Sequence, residues 1–165
     1  MLVGIVLVVG SSSALGLYFC YQYKQRLNEL RELQKAMICI QSEMKYGRME
    51  LDDIFEQAKR CTKGCTKGFF QAVQKRRGHN FQQEWKEAVE REMACLTRGE
   101  KDNLNWLGSM LGMQDLEAQL LQIEQYKKRT ERQIQELENE QKKYVKLYPA
   151  LGVCLGMIVC LMLVG

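Results

Sequence analysis

Residues 116–148 read LEAQLLQIEQYKKRTERQIQELENEQKKYVKLY. Leu116, Leu120, Ile123, Lys127, Thr130, Ile134, Leu137, Gln141, Tyr144 and Tyr148 recur at alternating four- and three-residue steps. That heptad spacing predicts one long helix beginning near Met113. Its seam is polar at Lys127, Thr130 and Gln141. A uniform two-stranded coiled coil is therefore not expected, and the helix should pack against shorter helices of its own chain.

Downstream the helix runs into a segment without charge. All 24 Lys and Arg and all 20 Asp and Glu lie between Lys24 and Lys146, which leaves residues 1–23 and 147–165 uncharged and mainly apolar. About 20 such residues span a bilayer core as a helix. The segment from Leu147 to Gly165 has 19 residues, or roughly 28 Å of helix at about 1.5 Å per residue. At the other end Met1 opens the apolar run directly, and Lys24, Arg26, Arg31 and Lys35 follow it. A secretory signal carries its positive charges before the run, so this order reads as an uncleaved anchor.

Both basic flanks, including Lys142, Lys143 and Lys146, sit on the middle segment. The positive-inside rule then places that segment in the cytoplasm with both termini outside. The division expected is a transmembrane helix over 1–23, a cytoplasmic helical domain over 24–147 and a second transmembrane helix over 148–165. Gly152 and Gly156 are four apart in the second span, a spacing that lets helix backbones approach closely in lipid.

The middle has helical periodicity and no strand pattern. Leu27, Leu30, Leu33, Met37, Ile40 and Met44 mark an amphipathic helix that continues from the first anchor and ends at Gly47. Leu51, Ile54, Phe55 and Ala58 mark a second, with Asp52 and Asp53 in its first turn, where the helix dipole favours acid. Gly64 and Gly68 bracket the next boundary, and Phe69, Phe70 and Val73 give a third helix ending at Arg77-Gly78. Phe81, Trp85, Ala88, Val89, Met93 and Leu96 form a fourth. Gly99 punctuates, and Leu104, Leu107, Met110 and Leu111 form a fifth. The expected fold is all-α, an antiparallel helix bundle of about six helices, with the first and last helices continuing into the membrane spans.

Catalytic chemistry finds little support. Cys61 and Cys65 are four apart, but a zinc site prefers a second ligand pair and His79 is the single His. Gly64, Gly68 and their lysines lack the ending of a phosphate loop. Lys75-Arg76-Arg77 is a short basic cluster, too few charges for nucleic acid at physiological salt. No catalytic residue, cofactor or metal ligand is expected, and no nucleic-acid partner.

What remains is packing and recognition. Glu43-x-x-Tyr46 closes the first helix. Leu51 and Asp53 open the second, and Phe69-Phe70 and Trp85-x-x-Ala88 follow. Then comes Leu107-Gly108-x-x-Leu111-Gly112-x-x-Asp115-x-x-x-Gln119. Here Gly112 suits a left-handed stop, Asp115 a cap or first turn, and Gly108 a close helix approach. Tyr144-x-x-Leu147 and Leu151-Gly152-x-x-x-Gly156 complete the set. On these residues the whole chain resembles the stage III sporulation protein AB family of endospore-forming bacteria. One departure is Met49-Glu50-Leu51 where the family usually has Thr-Pro-Leu, which removes a fixed φ before the second helix.

The resemblance implies a non-enzymatic platform in the mother-cell membrane facing the forespore, part of the channel between the two cells. It implies a helical domain similar to that of the inner-membrane platform proteins of type II secretion and type IV pilus machines. By that analogy the partners would be the cytoplasmic ATPase of the same operon and other channel membrane proteins, together with membrane lipid; self-association is left open. The candidate interface comprises Glu43, Tyr46, Leu51, Asp53, Leu107, Gly108, Leu111, Gly112, Asp115 and Gln119. The competing expectation is a membrane-anchored adapter or lipid-binding helical module unrelated to secretion. Deletion separates the two: the platform predicts arrest after engulfment, the adapter normal heat-resistant spores.

Overall fold

The computed structural model describes residues 2–46, 50–75, 80–111 and 115–164, with side chains described for Tyr18, for 21–46 and for the intervening segments as far as Lys142. Every regular element among them is helical: α1 (Leu2–Tyr46), α2 (Leu51–Cys61), α3 (Gly64–Lys75), α4 (Phe81–Glu92), α5 (Arg98–Met110) and α6 (Leu116–Val164). Consecutive short helices pack in pairs, α2 on α3, α3 on α4 and α4 on α5.

The chain divides into two units, residues 1–23 with 135–165, and residues 24–134. In the first, the Tyr23 hydroxyl donates to Glu140 Oε2 at 3.1 Å. No helix among the described residues is long and apolar enough to cross a membrane. The two uncharged ends expected to do so, with Gly152 and Gly156, fall almost wholly outside the residues whose side chains are described.

The second unit holds the core. All six apolar positions expected on α1, from Leu27 to Met44, are buried, joined by Ala36. The short helices supply an aromatic cluster to the same unit. The Phe69 and Trp85 rings meet edge-on with centroids 4.8 Å apart. Phe55 stacks on Phe81 at 6.0 Å, and Phe70 lies 5.0 Å from Phe69. Such pairs contribute roughly 0.5–1.5 kcal/mol each beyond the area they bury.

Three boundaries differ from expectation for local reasons. Helix α3 starts at Gly64 and carries Gly68 inside it, because a carboxylate from another helix satisfies its first amides. Met93 and Leu96 are buried but lie beyond α4, in a turn closed by Leu96 N–H to Met93 O at 3.1 Å. Gly99 does not break the chain; it sits in the first turn of α5, after the cap residue Thr97.

The seam of α6 also differs. Gln119, Ile123, Tyr126, Thr130, Ile134 and Leu137 are buried, whereas Leu116 is 47% exposed and Leu120 and Lys127 are half-buried. A straight helix drifts about 20° per heptad against a strict 3.5-residue repeat. Near its start the buried face of α6 has rotated onto Gln119 and Tyr126.

Candidate functional site

Buried charge in the second unit is spent on joints between helices. Glu29 on α1 is 6% exposed. Its Oε1 accepts the Cys65 N–H at 3.1 Å, and its Oε2 accepts the Thr66 N–H at 3.0 Å and the Thr66 hydroxyl at 2.9 Å. These are free donors at the start of α3, which a carboxylate satisfies while also meeting the helix dipole. Gly64 supplies the approach: its φ is +62°, and a Cβ there would overlap Glu29 Oε1. Only glycine takes that φ and that proximity together without strain.

One turn earlier on α1, Arg26 Nη2 donates to Glu100 Oε1 at 2.8 Å and Arg26 Nε reaches both carboxylate oxygens at 3.0 Å. Glu100 Oε2 also accepts the Thr97 N–H and hydroxyl, each at 2.8 Å. Thr97-Arg98-Gly99-Glu100 is thus a capping box tied to α1. The Thr-x-x-Glu spacing is visible in the sequence, and it is the signal that could have revealed this start of α5. Nothing in the sequence marks Arg26 or Glu29 as the partners.

The expected interface residues divide into two groups. Leu107, Gly108 and Leu111 are buried. Trp85 Nε1 donates to Leu104 O at 2.9 Å, and its indole lies so close to Gly108 that a Cβ there would overlap Cδ1 and Nε1. Trp85, buried Ala88 and the Leu107-Gly108 step therefore form one packing unit between α4 and α5. Gln119 is buried as well, and Gly112 lies outside the described residues.

The second group lies at the end of α1 and the start of α2, at or near the surface. Tyr46 ends α1 with 80% of its surface exposed, and Lys45 Nζ stands 5.5 Å from its ring centroid. Glu43 and Leu51 are half-buried and Asp53 is exposed. Helix α2 is capped by the Glu50 carbonyl, which accepts from Asp53 N–H at 3.0 Å and Ile54 N–H at 3.2 Å. Asp115 starts α6 similarly: its Oδ1 accepts the Glu117 N–H at 3.1 Å and its carbonyl the Gln119 N–H at 3.2 Å. Leu116 and Leu121 on the first turns of α6 are exposed.

Helices α1 and α6 are bridged by Gln41. Its Nε2 donates to Glu124 Oε2 at 3.2 Å, and its Oε1 accepts from Lys127 Nζ at 2.8 Å. The Lys127 ammonium, 3.0 Å from Glu124, holds that carboxyl below its ordinary value, with the Gln41 amide adding to the effect. The second group offers an aromatic ring, carboxylates and apolar side chains, a set suited to holding another protein.

The sequence model of the family described as Stage III sporulation protein AB matches residues 1–164. The chain belongs to that family. A solved structure titled Stage III sporulation protein AB has a TM-score of 0.65 and 19% identity, over 72% of this chain and 98% of that one. At that identity the likeness speaks for the fold. No curated protein matches. In this stage III sporulation protein AB family member, then, Leu107-Gly108, Leu111 and Trp85-x-x-Ala88 lie in the core. Glu43, Tyr46, Leu51, Asp53 and Asp115 are left at or near the surface.

Proposed function

We propose that this chain is a non-catalytic platform component of the sporulation channel, held in the mother-cell membrane by its two uncharged ends. Its helical middle lies in the cytoplasm and engages the ATPase of the same operon through the α1–α2 turn and the start of α6. Family membership across residues 1–164 carries this reading. Two further features support it. The buried carboxylates Glu29 and Glu100, the latter paired with half-buried Arg26, are committed to caps and helix joints, which is structural work. The family-motif residues left at or near the surface lie chiefly at the end of α1 and the start of α2, with Tyr46 at 80% exposure.

The test is co-purification of the full-length chain with that ATPase from detergent-solubilised membranes of sporulating cells. The native chain should retain the ATPase, and the double variant Tyr46→Ala with Asp53→Lys should lose it while keeping its helical circular dichroism. Failure of the native chain to retain the ATPase would remove the coupling role. A deletion strain that still makes heat-resistant spores would remove the channel role altogether.

A further inference from the structure

The four described cysteines fall into two pairs. Cys39 Sγ on α1 and Cys61 Sγ at the end of α2 are 3.3 Å apart, and Cys61 is exposed. Cys65 and Cys95 are hydrogen-bonded to each other through their thiols, both half-buried beside Glu29. All four are free thiols. Packing alone has no need to place an exposed thiol against another from a different helix. Closing the outer pair takes a contraction of the sulfur separation from 3.3 Å to about 2.05 Å.

We propose that Cys39 and Cys61 form an oxidisable dithiol, a modification site at which a peroxide converts the two thiols into an intrachain disulfide fastening α2 to α1. Cys61, the exposed member, meets the oxidant first. Its thiolate attacks one oxygen of hydrogen peroxide and the O–O bond breaks, leaving a sulfenic acid, while the departing hydroxide takes up the thiol proton as water. The Cys39 thiolate then attacks the Cys61 sulfur; the S–O bond breaks and a second water leaves with the Cys39 proton. Two thiols lose two protons and two electrons, and one peroxide becomes two waters.

Burial pushes the Cys39 thiol up to about 12, helped by the Cys61 thiol beside it and the Glu43 carboxylate. Its thiolate is scarce at neutral pH, which makes it the resolving partner and makes closure faster as pH rises. In a reducing cytoplasm the bond would be temporary. It would close a ring of chain that includes the whole α1–α2 turn.

The experiment is peroxide treatment of the full-length chain in detergent, with alkylation of remaining thiols and peptide mass mapping without reduction. The expected product is a Cys39–Cys61 linked peptide two hydrogens lighter than its parts, on a monomeric chain and restored by dithiothreitol. In Cys39→Ser the link is lost and Cys61 is captured by a dimedone-type sulfenic-acid probe. In Cys61→Ser the link is lost and Cys39 stays alkylatable. As a measurement independent of oxidation, phenylarsine oxide should protect Cys39 and Cys61 together from alkylation, and neither in the single variants. A native chain that yields only sulfinic acid at Cys61, a Cys61–Cys65 or Cys65–Cys95 link without the outer one, or disulfide-linked dimers would overturn the proposal.

Discussion

Gly108 and Gly99 show how one residue type does opposite work within a single helix. A Cβ at Gly108 overlaps the Trp85 indole, while one at Gly99 meets nothing within 4 Å. Gly108→Ala should therefore destabilise the chain by about 1–3 kcal/mol through overpacking. Gly99→Ala should stabilise it by about 0.4–1 kcal/mol by restricting the unfolded chain. Urea unfolding checks both, as midpoints moving in opposite directions at unchanged slope. Glu29 is the other decisive residue. Glu29→Ala strands two backbone N–H groups and a buried hydroxyl and should cost about 3 kcal/mol. Circular dichroism melting of the variant should show the loss, and Glu29→Gln, which keeps one accepting oxygen, should recover part of it.

At the scale of elements, short helices depend on their joints to α1. Helix α5 has 13 residues, a length marginal in isolation, and its start is fixed by Thr97, Glu100 and Arg26. Arg26→Ala leaves a nearly buried carboxylate without its cation, so a loss of about 3 kcal/mol is expected. Amide exchange should accelerate first in the opening turn of α5. The α1–α6 bridge carries a pH signature. The Glu124 carboxyl is held below its ordinary value by Lys127 and Gln41. Its contribution is then full above about pH 4.3, the ordinary Glu value, and is lost as pH falls through the lower folded value. Because Glu124 is 39% exposed, that contribution is a few tenths of a kcal/mol. The stability difference between the native chain and Glu124→Gln should vanish in the acid limb of a pH titration.

For the whole molecule, two uncharged ends flanking a charged middle make the proposed attachment testable without any partner. The full chain should remain in the membrane pellet after alkaline carbonate extraction, and a chain shortened to residues 24–147 should appear in the supernatant. Full extraction of the intact chain would contradict the two-span reading. The position of the exposed residues makes a second point. Tyr46, Leu116 and Leu121 are large apolar side chains left in water at the end of one long helix and the start of the other. Such side chains suit the proposed contact with another protein, since tyrosine brings apolar area and a polar tip together.

By itself the sequence determined the all-helical class, the apolar face of α1 from Leu27 to Met44 and the order of the short helices, though not every boundary between them. Local periodicity suffices for these, because a helix with one apolar stripe has one way to bury it. It also determined the family, through motifs spread along the chain. The tertiary structure decided what those motifs do. Leu107 and Gly108 cannot be told from an interface pair in sequence, since both uses call for an apolar residue beside a small one. Only the arrival of Trp85 from α4 makes them core. The start of α3 depends on Glu29, which is distant along the chain and leaves no local trace, and the capping box of α5, though visible as Thr97-x-x-Glu100, does not name Arg26 as its partner. The rotation of the α6 seam onto Gln119 and Tyr126 has another cause: a straight helix drifts against a strict heptad, and the spacing alone does not say that the helix stays straight.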